Sequence, residues 1–387
     1  MDEHNVNVGY WIKLEDGRIE CRLCPRFCHM RPGQRGLCFV RRTRDDGEGM
    51  ELTGYGRSTG FCVDPIEKKP LNHFLPGSSV LSFGTAGCNL ACSFCQNHDI
   101  SKSREVARLS SHAMPETIAL AAERLGCASV AYTYNDPVIF MEYALDTAAA
   151  CRAKGVKNVA VTAGFICEEP RKRFFAGMDA ANVDLKAFTE RFYEKRCAGS
   201  LKPVLDTLKY VVHETDVWTE ITTLLIPGEN DSEEEIEALS SWIARELGRD
   251  VPLHFTAFHP DYRMLDVPPT PSATLQKARC IGLKNGLHHV YVGNIKDPAR
   301  QATLCPTCGL RAIGRDGYKI TTYELEADGS CKGCGTKLAG VFAAKPGQWG
   351  PRRQPVEIEH YAAEGGLRGA WAPRVNLSAS GGGGLWP

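Results

Sequence analysis

Residues 88–95 read Cys88-Asn-Leu-Ala-Cys92-Ser-Phe-Cys95, a C-x-x-x-C-x-x-C run with an aromatic just before the last cysteine. A cuboidal 4Fe–4S cluster normally takes four cysteine thiolates. Three thiolates on one short loop hold three of its irons and leave the fourth open to a small molecule. A zinc ion would instead require a fourth thiolate or an imidazole, which the nearby His98 can supply. The remaining reading is three buried structural thiols.

Outward from this loop the chain alternates short β-rich runs with longer helical patterns. The strand candidates are 79–83, 128–133, 158–162, 180–185, 217–225, 253–258 and 289–293. Helical patterns fill the gaps at 113–125, 138–154, 201–213, 232–247 and 272–285. Repetition of this kind reads as parallel βα units. They fit either a full or partial (β/α) barrel or an open doubly wound sheet. No G-x-G-x-x-G turn opens a helix after the first strand, as a dinucleotide-binding sheet would have. The cysteine loop follows the first strand, where barrels build their active sites.

Two further cysteine sets flank this region. Cys21, Cys24, Cys28 and Cys38 form a C-x-x-C-x-x-x-C run followed, nine residues on, by a fourth cysteine. They suit either zinc or an auxiliary 4Fe–4S cluster. Cys305-Pro-Thr-Cys308 and Cys331-Lys-Gly-Cys334 are paired knuckles 22 residues apart, which read as a zinc ribbon, with rubredoxin-like iron as the alternative. Such modules are often held together by their ion. Of the other six cysteines, Cys62, Cys127, Cys151, Cys167, Cys197 and Cys280, most read as ordinary buried thiols, while Cys197, in Arg-Cys-Ala-Gly, is a weaker candidate for a place near the site.

With 387 residues, 43% of them hydrophobic, the chain can bury one large core plus small modules. Lys+Arg and Asp+Glu both number 46, and no bulk charge draws the chain to nucleic acid or a membrane surface. The first residues show neither a basic nor an apolar signal region, and no apolar run is long enough to span a bilayer. Seventeen cysteines, eleven of them in three clusters, then point to metal and redox chemistry in a reducing, cytoplasmic setting rather than to disulfides. The expected division is a four-cysteine metal module and lead-in over 1–75, a barrel over 76–300, a ribbon over 301–344, and a disordered Gly/Pro-rich tail over 345–387.

The segments Asp64-Pro-Ile-Glu-Lys-Lys-Pro-Leu, His73-Phe-Leu-Pro-Gly, Gly87-Cys-Asn-Leu-Ala-Cys-Ser-Phe-Cys-Gln-Asn and Tyr132-Thr-Tyr-Asn, with the front Cys-x-Leu-Cys-Pro set and the rear knuckles, carry a family resemblance. Over roughly residues 10–342 the chain resembles the AmmeMemoRadiSam-system radical SAM proteins, and more distantly the pyruvate formate-lyase activating enzymes. The resemblance implies an α/β fold, a partial or full (β/α) barrel of the radical SAM type with small cysteine-rich metal modules at both ends. It implies a 4Fe–4S cluster on Cys88, Cys92 and Cys95, with S-adenosylmethionine (SAM) bound at the open iron. Asn135 and Asp136 stand where such proteins carry a Gly-Gly-Glu-like turn that binds the SAM amino group. Asp136 before Pro137 also reads as a helix N-cap. Thr162-Ala-Gly164 resembles the Thr-Asn-Gly turn of activating enzymes, with alanine in place of asparagine, and Asn294 ends the last strand where adenosine would lie. Asp184-Leu-Lys186 matches a motif that lies beside SAM and substrate in activating enzymes, giving Asp184 and Lys186 as catalytic candidates; a structural ion pair is the other reading. Glu220, Thr222 and His254 are weaker inward-facing candidates.

The implied function is reductive cleavage of SAM and hydrogen abstraction from a substrate, on a partner protein or a small molecule. The alternatives are a glycyl-radical-enzyme activase and a non-catalytic metal-binding interaction protein. Implied partners are an electron donor such as flavodoxin or ferredoxin and Memo-like and AmmeMemo-like proteins.

Overall fold

The computed structural model describes residues 5–102, 104 and 110–364. The expected strands all form, in one sheet. We label its strands β1 (Arg57–Pro65), β2 (Ser79–Gly84), β3 (Ser129–Tyr132), β4 (Lys157–Thr162), β5 (Ala180–Asp184), β6 (Trp218–Leu225), β7 (Leu253–Ala257), β8 (Val290–Gly293) and β9 (Gln354–Pro355). Strands β2 to β8 lie side by side in chain order, each parallel to the next. Right-handed crossovers in such an order put every helix on one face and curl the sheet around the other. The barrel stays open: β8 pairs only with β7, while β1 and then β9 extend the far edge antiparallel. All six residues of β2 are buried, as expected of a strand covered on both faces.

The helices are α1 (Pro115–Arg124), α2 (Met141–Ala153), α3 (Glu168–Ala176), α4 (Lys202–Glu214), α5 (Glu233–Glu246) and α6 (Ser272–Lys284). In α4, Val204, Thr207, Leu208 and Val211 recur on one face and are buried. Helix α5 starts where the Ser232 hydroxyl accepts the Glu235 N–H at 3.2 Å, with three glutamates in its first turn complementing the helix dipole.

The floor of the barrel is closed by loop 66–78, whose Ile66, Leu71 and Phe74 pack on Val80, Ala131, Val159 and Ala180. Glu220 anchors that loop by accepting the N–H groups of Asn72 (3.0 Å) and His73 (2.7 Å). It also contacts His254 Nε2 at 2.6 Å. Glu220 is the third residue of β6, toward the base, so it is a structural hub rather than a rim residue. The ribbon, with strands Thr303–Leu304, Arg311–Asp316 and Lys319–Tyr323, docks on this floor. His73 Nδ1 lies 2.7 Å from the Ala339 carbonyl, and its Nε2 lies 2.6 Å from the Tyr291 hydroxyl. A carbonyl only accepts, so neutral His73 carries its proton on Nδ1 and accepts from Tyr291 at Nε2.

Three features depart from expectation. The lead-in over 1–75 is not one module: residues 5–53 make two small three-stranded antiparallel sheets, and the main sheet already begins with β1. Gly60, at φ +73°, sits in a register shift of β1 that breaks the alternation a strand reading relies on. The tail is not disordered from 345: β9 pairs with β1, and Ile358 is fully buried before a last helix, Glu359–Glu364. Residues 365–387 of the expected tail lie outside the described residues. Among the described residues no helix is long and apolar enough to cross a membrane.

Candidate active site

The C-terminal ends of β2 to β5 bring the sequence candidates to one rim. The cysteine loop leaves β2 and is pinned from several sides. Ala91 and Ser93 donate their N–H groups to the Cys197 and Arg196 carbonyls, both at 2.8 Å. Lys102 Nζ donates to Leu90 O at 2.8 Å, Asn89 Nδ2 to Phe165 O at 2.9 Å, and Arg26 Nε to Asn89 O at 2.6 Å. Cys92 is buried, Cys88 and Cys95 half-buried, and Cys95 Sγ lies 3.1 Å from Ser101 Oγ.

Asn135, just beyond β3, clamps the start of this loop. Its Nδ2 donates to Thr85 Oγ1 (3.0 Å) and to Gly87 O (2.8 Å), and its Oδ1 accepts from Thr85 N at 3.1 Å. Both amide protons are thus committed to the loop, so the side chain has no donor left for a cofactor. Asp136 accepts from Val138 N (3.1 Å), Thr162 Oγ1 (2.9 Å) and Ala163 N (3.1 Å). It therefore caps the short helix Pro137–Phe140 and braces the end of β4 with one carboxylate. Burial pushes its pKa up, against the pull of these donors and of Lys186. The Gly164 N–H donates to Thr162 Oγ1 at 3.1 Å, and the Gly164 carbonyl accepts from Thr207 Oγ1 at 2.8 Å.

At the end of β5, Lys186 Nζ pairs with Asp184 Oδ2 at 2.9 Å. Burial pulls Lys186 down, but the Asp184 carboxylate and the sulfurs of Cys92 and Cys197 outweigh it and hold the amine above its ordinary value. A hydrogen bond from the Cys197 thiol, helped by the Lys186 cation, draws Cys92 down to about 6. Burial pushes Cys88 up to about 12. Cys197, a weaker candidate in the sequence, is thus a neighbour of Cys92, delivered by the π-helical turn Tyr193–Cys197. Its pairing with Cys92 in particular leaves no local sequence signal, because the contact joins two distant loops. Asn294 ends β8 in the left-handed region (φ +58°) and donates to Ala257 O at 3.1 Å, tying together the rims of β7 and β8. His98, the candidate zinc ligand, has both ring nitrogens near carboxylates: Nδ1 is 3.4 Å from Asp261, Nε2 is 3.2 Å from Asp99, and the ring stacks on Tyr262.

The cysteine sets differ in spacing. In the ribbon, Cys305 Sγ is 3.6 Å from Cys334 Sγ, and Cys308 Sγ is 3.7 Å from Cys331 Sγ. Zn–S bonds of about 2.3 Å in a tetrahedron set the sulfurs about 3.8 Å apart, so this set fits one tetrahedral ion. A hydrogen bond with Thr336 draws the exposed Cys334 down to about 6, a thiolate at neutral pH and so ready to ligate. Cys21, Cys24, Cys28 and Cys38 also converge, since each thiol feels its neighbours, but their spacing is wider. Among the described residues only the ribbon set has its ligand atoms all within 4.8 Å of one another.

A sequence model of the radical SAM superfamily matches residues 83–239. The uncharacterized protein MJ0808 of Methanocaldococcus jannaschii is 38% identical over 330 residues, which span 85% of this chain and 97% of that protein. A domain of pyruvate-formate lyase-activating enzyme from Bacteroides vulgatus is similar at a TM-score of 0.39 and 18% identity, over 43% of this chain and 99% of that one. A radical SAM methyltransferase from Sphaerobacter thermophilus gives 0.46 and 15%, over 65% and 75% of the two chains. The superfamily match covers the cysteine loop and the strands that follow it to β6: the chain belongs to the radical SAM superfamily.

Proposed function

We propose that the chain cleaves SAM reductively at a cluster on Cys88, Cys92 and Cys95 and abstracts hydrogen from a substrate at the C-terminal rim. The observation that carries this is the meeting, at one rim, of a pinned three-thiol loop and the Asp184–Lys186 pair beside Cys92. The thiols are buried or half-buried, and three on one short loop fit the ligand set of a cluster with one open iron. Cys88, Cys92 and Cys95 would hold the 4Fe–4S cluster, which with SAM bound would supply the one-electron reductive chemistry.

The protein's part is positioning and charge. Asn135 fixes the entry to the loop and is a positioning residue. Asp136, Thr162 and Gly164 hold the adjoining turns of β3 and β4 as one network, and Asn294 sets the far end of the rim. Lys186, kept cationic, offers charge to an anionic group of cofactor or substrate, and Asp184, one-third exposed, keeps that amine aimed. The ribbon holds zinc as a folding element. The electron comes from a one-electron donor of the flavodoxin or ferredoxin class, and a Memo-like or AmmeMemo-like protein presents or forms the substrate.

The test is 5′-deoxyadenosine formation by anaerobically reconstituted, reduced protein with SAM, with Cys88→Ala/Cys92→Ala/Cys95→Ala protein as the blank. Product above the blank is expected. Fully loaded protein that makes none would overturn the reading.

A further inference from the structure

The front four-cysteine set is not used by the chemistry above, and its surroundings say what it holds. The three cysteine sets of this chain provide an internal comparison. The ribbon set closes to the spacing of a single tetrahedral ion, whereas both Cys21/Cys24/Cys28/Cys38 and Cys88/Cys92/Cys95 stay wider. A cube spreads its thiolates over separate irons, so its ligand sulfurs stand further apart than those around one zinc. The front set is therefore like the loop read as an iron–sulfur site in that, among the described residues, neither closes to the spacing of the zinc-like one.

Its environment is also that of a redox centre. Backbone N–H groups of Leu23, Arg26, Val40 and Arg41 point at the sulfurs of Cys21, Cys24 and Cys38. Hydrogen bonds of this kind tune cluster potentials. The Arg41 guanidinium, 1% exposed, lies near Cys21 and Cys38 and is itself paired with Glu142, so the site adjoins a buried ion pair.

Its location couples it to the rim. Gly87, the residue before Cys88, packs so closely on the Cys38 carbonyl that a Cβ there would lie 2.0 Å from the oxygen. Arg26, between Cys24 and Cys28, bonds the Asn89 carbonyl between Cys88 and Cys92. The two ligand loops are in contact at both points, which leaves a short covalent and hydrogen-bonded path between their sulfurs.

We infer that Cys21, Cys24, Cys28 and Cys38 hold a second iron–sulfur cluster, a relay through which single electrons reach the Cys88/Cys92/Cys95 cluster. The relay role rests on the radical SAM reading above; the identity of the front site does not. Each transfer balances simply. A low-potential donor of the flavodoxin class loses one electron, the front cluster gains and passes it on, and no proton or bond changes hands.

The experiment uses full-length protein, reconstituted anaerobically with iron, sulfide and zinc. Wild type should hold about eight irons and about one zinc per chain. The Cys88→Ala/Cys92→Ala/Cys95→Ala variant should keep about four irons and give an EPR signal of about one spin when reduced by flavodoxin hydroquinone. Cys24→Ser in the wild-type background should halve the iron, read by Mössbauer spectroscopy and metal analysis. Two zincs and no iron in the triple-alanine variant would overturn the second cluster. Iron there that flavodoxin hydroquinone cannot reduce would overturn the relay. Equal iron in wild type and the triple-alanine variant would instead sink the reading of the Cys88 loop while leaving the front cluster standing.

Discussion

Replacing Asn135 with alanine tests whether the cysteine loop is held by design or by general packing. The side chain is 6% exposed and makes three hydrogen bonds of 2.8–3.1 Å to residues 85 and 87. Alanine would leave two buried backbone groups, Thr85 N–H and Gly87 C=O, without these partners. At ~1–3 kcal/mol for each, the cost is about 2–6 kcal/mol. Taking ~2–4 °C per kcal/mol for a domain of this size, thermal unfolding of the metal-free protein should fall by roughly 5–20 °C. Gly87 adjoins Cys88, so the damage should reach the ligands. Iron retained by the Cys88 loop and 5′-deoxyadenosine formation should drop at least tenfold, on the order of 1.4 kcal/mol or more, while ribbon zinc stays. Asn135→Asp should also fail, because a carboxylate oxygen would face the Gly87 carbonyl in place of a donor. Unfolding within about 2 °C of wild type, or a destabilised variant that still loads its loop and cleaves SAM normally per folded chain, would refute the clamp.

Other outcomes follow from the same geometry. Lys186→Met should lower SAM cleavage at least tenfold per folded, iron-loaded chain; unchanged cleavage would make the pair structural. Cys331→Ser should abolish zinc binding and lower the unfolding temperature while leaving iron unchanged, because the ribbon core of Ala312, Ile313, Leu325 and Leu338 is small and relies on its ion; zinc retained at one per chain would contradict the tetrahedral site. Burial holds His73 down to about 4, so the unfolded chain binds the extra proton first, and stability should be greatest above pH ~6.5 and fall as pH drops toward 4, by about 3 kcal/mol from this group. His73→Gln, which cannot charge, should flatten that part of a stability-against-pH curve, and an equal slope in both proteins would show that His73 does not set it.

Much of the fold was legible because parallel strands buried on both faces write themselves as continuous apolar runs between helical patterns. What failed to show were elements defined by the neighbour rather than by their own pattern. Strand β1 hides behind the Gly60 bulge, and β9 is two residues within a Gly- and Pro-rich stretch, visible only once it pairs with β1. The same division holds at the site. The cysteine spacing announces a metal centre, and Asp136-Pro137 announces a cap. The other two bonds of Asp136 come from Thr162 and Ala163, at the end of another strand, so the cap and the brace are one carboxylate. Asn135 was legible as a site residue but not as a clamp, since its partners follow β2. Glu220 was legible as inward-facing but not as an anchor of the floor, because strand alternation fixes which face a side chain takes and not how far up the barrel it stands.

The height of each metal set along the barrel explains the arrangement of modules. Loop 66–78 leaves and re-enters the sheet at its base, so the ribbon docked on it through His73, Tyr291 and Arg315 sits where active sites of barrels do not form. A metal there can stabilise the floor without perturbing the rim. The front module is tied instead to Gly87 and Asn89, inside the loop that carries the ligands. Nothing about folding the barrel requires that contact, since loop 66–78 already closes its floor and Asn135 already holds the loop. A close approach of two cysteine loops, secured where only glycine fits, helps pin the ligand loop and also brings the two thiol sets near each other. It is what transfer of single electrons requires, because such transfer depends on the gap between the two centres.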